Sequence, residues 1–129
     1  MKRGHETASH LAMKRHVADV LRRRGWMARG EACNADVTAY KPGREGIWTL
    51  ECERSPKWVV RNVLKDIGNG ARWVVVVAET STVVEAVRRQ LERLPSEIRA
   101  RVQIVTINEF SETYVENRME RERYHENQA

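Results

Sequence analysis

Apolar and polar residues alternate along this chain with two different periods. Spacings of three and four residues predict four helices, over residues 9–24, 56–68, 83–94 and 109–124. Period-two alternation and short apolar runs predict five strands, two within residues 26–40 and three over residues 47–53, 73–78 and 102–107. The sequence therefore predicts a chain in which helices and strands are mixed.

The order of these elements predicts the fold class. It reads helix, three strands, helix, strand, helix, strand, helix. Strands joined through a helix lie parallel and are connected by right-handed crossovers. The Pro- and Gly-containing turn over residues 41–46 predicts an antiparallel hairpin instead. We expect an α/β fold in which a mixed sheet carries helices on both faces and residues 73–78 form a central strand.

Capping residues predict where the helices begin. Thr7 or Ser9 precedes the first helix, and Ser55 precedes Pro56, which suits the first position of a helix. Asn108 is the predicted cap of the last helix. We therefore expect the second helix to begin at Pro56 and the last one directly after Asn108.

Length and composition indicate one soluble domain. The chain has 129 residues, of which 41% are apolar, enough to supply a core. Its longest apolar run, residues 73–78, is far shorter than the ~20 residues that cross a bilayer, and no apolar segment follows Met1. Cys33 and Cys52 do not have the number or spacing of a disulfide framework, a zinc site or a redox motif. We expect a soluble, cytoplasmic protein with reduced thiols.

The net charge of +5 is unevenly distributed. Through Gly30 the chain has eight Lys and Arg against two Asp and Glu, whereas from Glu109 onward it has three against six. A basic end suggests a polyanionic partner. The alternative is a basic surface that keeps a small domain soluble.

Two carboxylates share one face of the strand over residues 47–53. Period two places Thr49, Glu51 and Glu53 on the same face, and Asp36 would lie across the hairpin, opposite Glu51. Like charges at short range raise one another's pKa unless a cation joins them, and oxygen ligands suit Mg²⁺ or Mn²⁺. The alternative is that these residues form the solvated side of an amphipathic strand.

The helix that follows this strand adds a candidate phosphate contact. Helix N-termini attract anions, and Lys57 lies in the first turn of the predicted helix. Beside it, Trp58 is a candidate contact for nucleic acid, whereas we interpret Trp26, Trp48 and Trp73 as core residues.

These residues resemble the PD-(D/E)XK nuclease superfamily in kind and order. The likeness is closer to the competence-protein CoiA type and to nuclease-like domains of mobile elements, and it covers residues 9–94. The positions that carry it are His10 and Lys14 on the first helix, Glu31, Asp36-Val37, Glu51-x-Glu53, Ser55, Asn62 and Lys65.

The resemblance implies both a fold and an activity. The fold is a restriction-endonuclease-like αβββαβ core within a domain over residues 1–108, extended by a helix and a strand. A charged C-terminal helix or tail follows over residues 109–129. The activity is that of a metal-dependent DNA endonuclease or resolvase-like phosphodiester hydrolase, from a mobile element or a DNA-uptake system.

The resemblance also implies a role for each carboxylate. Asp36 and Glu51, helped by the Cys52 carbonyl, would bind Mg²⁺ or Mn²⁺, which polarises the phosphoryl oxygen and acidifies a bound water. Glu53 would orient that water or a second metal ion, and Glu31 would be an accessory carboxylate.

Basic residues would contact the DNA. Lys14 and Lys57 would meet the reacting phosphate, and His10 would fix a water or a phosphate near Lys14. The alternative for His10 is an ordinary position at the edge of the core. The expected nucleic-acid-binding residues are Lys14, Arg15, Arg22, Lys57 and Lys65.

Two departures from the family pattern leave alternatives open. Ala35 stands where the family has proline, and Glu53 stands where it has the lysine that stabilises the phosphoryl transition state. Lys57 or Lys14 would supply that charge, or the chain is a non-catalytic DNA-binding or docking subunit. A third interpretation is a small α/β module that dimerises through its acidic C-terminal helix. A homodimer, or a complex with a partner ATPase or recombination protein, fits the nuclease interpretation.

Overall fold

The computed structural model of the chain describes residues 6–30 and 35–121. Within these residues, five helical segments lie around the sheet: α1 (Ala8–Arg23), α2 (Val59–Gly68), α3 (Ser81–Leu91), the short α4 (Ser96–Arg99) and α5 (Glu112–Tyr114), which continues as a π-helix over Val115–Glu120. The strands are β1 (Met27–Gly30), β2 (Val37–Tyr40), β3 (Ile47–Glu53), β4 (Ala71–Ala78) and β5 (Val102–Thr106). In the part of the chain described, no helix combines the length and the apolar character that spanning a membrane requires.

The sheet has the mixed topology expected from the element order. Its strands follow the order β1-β2-β3-β4-β5. β1, β2 and β3 pair antiparallel, whereas β3, β4 and β5 pair parallel. The prediction of an α/β fold with a mixed sheet is confirmed, and β4 lies between two parallel strands because helices connect it to both of them.

Helices cover both faces of the sheet. Alternate residues of the strands contribute to two separate cores, one under α1 and the C-terminal helix and the other under α2 and α3. Phe110, Val115 and Met119 are all buried in the first core. The described residues after 108 therefore pack on the same sheet as the rest of the chain.

Glu120 anchors the C-terminal helix to the start of the sheet. Its carboxylate accepts hydrogen bonds from the Trp26 Nε1–H at 3.1 Å and from Arg24 at 2.7 Å, and Lys41 lies 3.4 Å away. Burial acts to raise the pKa of Glu120, but these donors outweigh it and lower the pKa to about 2. Glu120, from the acidic C-terminal segment, is thus paired with Arg24 from the basic N-terminal part of the chain.

Three tryptophans lie in the core and one is exposed, as the sequence predicts. Trp26 and Trp48 are buried and meet edge to face with centroids 5.9 Å apart, and Trp73 stacks on Trp48 at 5.6 Å. Trp58 is 51% exposed.

Two predicted helix starts are wrong. α2 begins at Val59 and not at Pro56, because residues 55–58 form a turn in which the Pro56 carbonyl accepts from the Val59 N–H. The C-terminal helix is capped by Ser111, whose hydroxyl accepts from the Tyr114 N–H, and not by Asn108. In both places a local turn precedes the helix, so the capping residue lies further along the chain.

Candidate functional site

The candidate site lies at the carboxyl end of β3. Val37 pairs with Leu50 in the antiparallel ladder, so Asp36, one residue before β2, lies beside the last residues of β3. The N-terminus of α1 reaches the same end of the sheet, where His10 contacts the Cys52 carbonyl. The carboxyl ends of parallel strands are common ligand-binding positions in α/β folds, because loops and helix termini meet there.

The Asp36 side chain accepts a backbone hydrogen bond near the end of β3. Its Oδ2 accepts a hydrogen bond from the backbone N–H of Cys52 at 2.8 Å. Burial acts to raise the pKa of Asp36, but the hydrogen bonds from His10 and from Cys52 have the larger effect and lower it. Asp36 is therefore an ionised carboxylate at neutral pH.

His10 contacts two of the oxygens that the resemblance assigns to a metal ion. Its Nε2 is 3.3 Å from Asp36 Oδ2 and 2.9 Å from the Cys52 carbonyl oxygen. Its Nδ1 is 2.7 Å from Glu6 Oε2. Both ring nitrogens face acceptors, so the arrangement favours the imidazolium, which donates from both of them. The hydrogen bond to Asp36 is the main cause that raises the pKa of His10 to about 9.

Lys14 adds a second positive charge to this side of the site. It is buried, and its Nζ lies 2.6 Å from Glu6 Oε2, the same oxygen that His10 contacts. The hydrogen bond from Lys14 is the largest effect on Glu6 and lowers its pKa. Glu6, His10, Lys14 and Asp36 thus form a charge-balanced group at the N-terminus of α1.

The pKa of His10 is directly measurable. We expect its imidazole to titrate near pH 9 in the metal-free protein, and to move back toward 6.5 in Asp36→Asn, because the largest cause is the Asp36 carboxylate. Since the folded-state pKa exceeds the unfolded one, the stabilisation is complete below pH 6.5 and is lost as the pH rises through about 9. NMR titration of the ring protons measures the shift, and an unchanged His10 titration in Asp36→Asn would contradict this assignment.

On the face of β3 that α2 covers, Glu51 and Asp66 form a buried acid pair. The Glu51 side chain hydrogen-bonds Asp66 from α2, and the Thr49 hydroxyl donates to Asp66 Oδ2 at 3.0 Å. Burial, followed by the nearby Asp66, raises the pKa of Glu51 to about 11, and burial raises that of Asp66 too. One proton shared between the two carboxyl groups relieves their repulsion. Apart from this shared proton, Glu51 Oε2 and Asp66 Oδ1 have no hydrogen-bond partner among the described residues.

Glu53 lies next to this pair and is held by α2. Its Oε2 accepts a hydrogen bond from Asn62 Nδ2 at 3.0 Å. Burial is the main cause that raises the pKa of Glu53 to about 7, against the opposing effect of Asn62. Period two is confirmed, because Thr49, Glu51 and Glu53 share a face, but the alternative of a solvated face is wrong since all three are buried under α2.

The structure brings some of the expected residues together and separates others. Asp36 lies close enough to Glu51 and Glu53 to raise the pKa of both, although the three carboxylates hydrogen-bond different partners. Lys65, on α2, lowers the pKa of Glu51. The predicted accessory Glu31 lies outside the described residues.

The expected basic residues spread along both helices. Lys57 is exposed in the turn before α2 and not in the first helical turn as predicted, and Arg15 is exposed on α1. Arg22 lies about 18 Å further along α1 than His10, since each helical residue rises 1.5 Å. There it donates to the Ala28 carbonyl at 2.8 Å. Arg22 is thus remote from the carboxylates.

Sequence reasoning missed Glu6 and Asp66. Asp66 lies on the apolar stripe of α2 that includes Val59 and Val63, and an acid on such a stripe signals a buried partner. Glu6 precedes His10 by four residues, the spacing that places both on one side of a helix.

The donors at this site fit a hard divalent cation in chemical type. Asp36, Glu51 and the Cys52 carbonyl offer oxygen atoms, and Glu51 Oε2 is buried and unpartnered. Within residues 6–30 and 35–121, however, no three His, Cys, Asp or Glu side chains are grouped to hold a metal ion. Binding would require His10 to withdraw from Asp36 and Glu51 to lose the proton it shares.

Comparison with known proteins does not place the chain in a family. No protein-family model matches it, and no curated protein matches it significantly.

Proposed function

We propose that this chain is a metal-dependent nuclease that hydrolyses phosphodiester bonds in DNA with Mg²⁺ or Mn²⁺. One observation carries the proposal: Asp36 Oδ2 and the Cys52 carbonyl oxygen already hold a cationic group, the His10 Nε2–H. Glu51, the residue before Cys52 in β3, adds a buried oxygen that no donor of the described residues reaches. Oxygens that concentrate this much negative potential also attract a divalent cation. The element order α1-β1-β2-β3-α2-β4 agrees with the αβββαβ order of the nucleases that the sequence resembles.

In this proposal each side chain has a separate task. Asp36 and Glu51, with the Cys52 carbonyl, bind the cation, which when bound polarises the phosphoryl group and acidifies a water. Glu53 accepts a proton from the attacking water, since a carboxyl with a pKa of about 7 suits a general base at neutral pH. Asn62 fixes its orientation through the 3.0 Å hydrogen bond.

Positive charge on the DNA side comes from the turn before α2. Glu53 occupies the family's lysine position, so no ammonium group projects from β3 there. Lys57 is exposed four residues later and supplies the charge that contacts the phosphate. Lys14 acts indirectly, because it is buried against Glu6. A mobile element or a DNA-uptake system would use such an enzyme, as the resemblance implies.

A non-catalytic DNA-binding or docking subunit is the second candidate. It is favoured by the imidazolium of His10, which lies where the cation would bind, and by Glu53 in place of lysine. In that case the paired charges stabilise the fold and a partner protein performs the chemistry.

A cleavage assay separates the two candidates. Linear, supercoiled, single-stranded and branched DNA are incubated with the full chain and Mg²⁺ or Mn²⁺, beside EDTA and the Asp36→Asn variant. The nuclease proposal expects cutting that is lost on chelation and in the variant. Asparagine keeps an acceptor for the Cys52 N–H, so the variant removes charge while retaining the local hydrogen bond.

The outcomes are distinct. Binding of DNA without cutting, under every metal condition, would reject the nuclease and support the docking subunit. Cutting that persists in EDTA, or in a homogeneous preparation of Asp36→Asn, would show that the activity does not depend on this site.

A further inference from the structure

We propose that Trp58 is a stacking platform for an unpaired nucleobase, and that Lys57 and Arg61 contact the phosphates beside it. The ligand class is single-stranded nucleic acid or an unpaired segment of a larger DNA. The proposal deepens the nuclease assignment, on which it relies for the substrate class.

The first supporting observation is the exposure of the ring. Trp58 is 51% exposed, whereas Trp26 and Trp48 are each 4% exposed and Trp73 packs against the same core. About half of the Trp58 side chain is thus accessible to a ligand, whereas the other three tryptophans are committed to the core.

The second observation is the charge around the ring. Lys57 Nζ lies 5.0 Å from the centre of the Trp58 ring, and the Arg61 guanidinium carbon lies 5.4 Å from it. Both cations are exposed, and neither makes an ion pair with a carboxylate among residues 6–30 and 35–121. Both cations lie over the ring itself, so a strand that binds here would draw them from the ring face to its phosphates and leave that face to a base.

The third observation is the distance to the candidate site. The Trp58 carbonyl accepts from the Asn62 N–H at 2.9 Å, and the side chain of Asn62 holds Glu53. Trp58 is thus about one helical turn, roughly 6 Å along the axis, from the residue that orients the proposed base. A strand whose phosphate lies at Glu53 would extend its neighbouring nucleotides over Trp58.

An unpaired base fits better than a duplex. In a duplex each base is already covered by its stacked neighbours, so only an unpaired base presents a free face to an indole ring. An acidic protein segment would satisfy the cations but would leave the ring without a stacking partner.

Binding is tested in EDTA, so that cleavage does not enter the measurement. Fluorescence anisotropy follows the full chain binding a labelled oligothymidylate of about 12 nucleotides and a duplex of equal length. We expect Trp58→Ala to weaken single-strand binding about 5- to 100-fold, the range of base–aromatic stacking, and Trp58→Phe to retain most of the affinity. The matched control is Leu64→Ala, which removes another exposed apolar side chain of α2 and should leave binding unchanged.

Two further measurements separate stacking from charge. Lys57→Ala/Arg61→Ala should lower the slope of log Kobs against log salt by about 1.4, or about 0.7 for each lost phosphate contact. The indole fluorescence of the wild type should be quenched on binding, and Trp58→Phe should lose that quenching. Thermal melting checks that every variant is folded, as expected for exposed positions.

Several results would overturn the proposal. One is a Trp58→Ala variant that binds the single strand as tightly as the wild type does. Another is an equal loss of affinity for the duplex, and a third is displacement of the labelled single strand by polyglutamate at matched charge. The nuclease assignment fails separately: Trp58-dependent binding without metal-dependent cleavage supports the platform and rejects the enzyme. Metal-dependent cleavage together with unchanged single-strand binding by Trp58→Ala would support the enzyme and reject the platform.

Discussion

Glu51→Gln is expected to lower metal-dependent DNA cleavage by about 100- to 1,000-fold while leaving the fold intact. The loss follows because Glu51 would supply one of the two carboxylates that bind the cation, and a bound metal is worth several kcal/mol of transition-state charge stabilisation. Cleavage rates at saturating metal, measured beside the wild type, give the effect.

The same substitution should change the free energy of unfolding of the metal-free protein by less than about 1 kcal/mol. Burial beside Asp66 raises the pKa of Glu51 to about 11, so without a cation the side chain is protonated and uncharged at neutral pH. Glutamine has the same shape and donates to Asp66 in place of the acid proton. Urea unfolding in EDTA measures this quantity.

Glu79→Gln is the matched control for this experiment. Glu79 follows β4 at the same end of the sheet, but its carboxylate contacts Ser9 and Arg54 on the surface. It should retain full cleavage activity. A Glu51→Gln variant that cleaves as fast as the wild type would remove Glu51 from the metal site. A variant that fails to fold would show that the ionised carboxylate is required for structure.

Phe110→Ala is expected to destabilise the protein by about 3–5 kcal/mol, the usual cost of deleting a buried aromatic side chain. Phe110 is 1% exposed, packs in the core under α1 and meets the Tyr114 ring at 5.4 Å. A small domain has a total stability of only about 5–15 kcal/mol, so the variant should be close to unfolding at physiological temperature. Chemical denaturation followed by far-UV circular dichroism measures the change.

Thr113→Ala, an exposed position of α5, is the control and should change stability by less than about 0.5 kcal/mol. Truncation after residue 108 extends the test, because it removes Phe110, Val115 and Met119 from the core together. We expect the truncated chain not to fold. A stable, cooperative fold of residues 1–108 would show that the C-terminal segment is an appendage.

Local pattern predicted the elements of the fold well, because the spacing of apolar residues is a property of short segments. β3 begins at Ile47 and ends at Glu53, as its period-two pattern indicates, and α1 is capped by Thr7, one of the two residues predicted for it. The starts of α2 and of the C-terminal helix were missed, because turns at residues 55–58 and 107–111 compete with the helix for the same backbone groups.

For the candidate site, the sequence predicted most of the residues but not their arrangement. The pattern of β3 placed Glu51 and Glu53 on one face, but it did not decide whether that face is solvated or buried. That depends on α2, whose Asp66 and Asn62 cover both carboxylates. Burial then changes the chemistry, because it raises the pKa of both glutamates where a solvated face would leave them ionised.

The sequence by itself determined the order of helices and strands and the residues that share a face of β3, since both depend on neighbours within a few positions. Only the tertiary structure decided that Asp66 meets Glu51 and that His10 contacts Asp36. His10 and Asp36 are 26 positions apart. Contact between groups so distant in the chain is set by the packing of α1 and α2 on the sheet, and no local spacing encodes it.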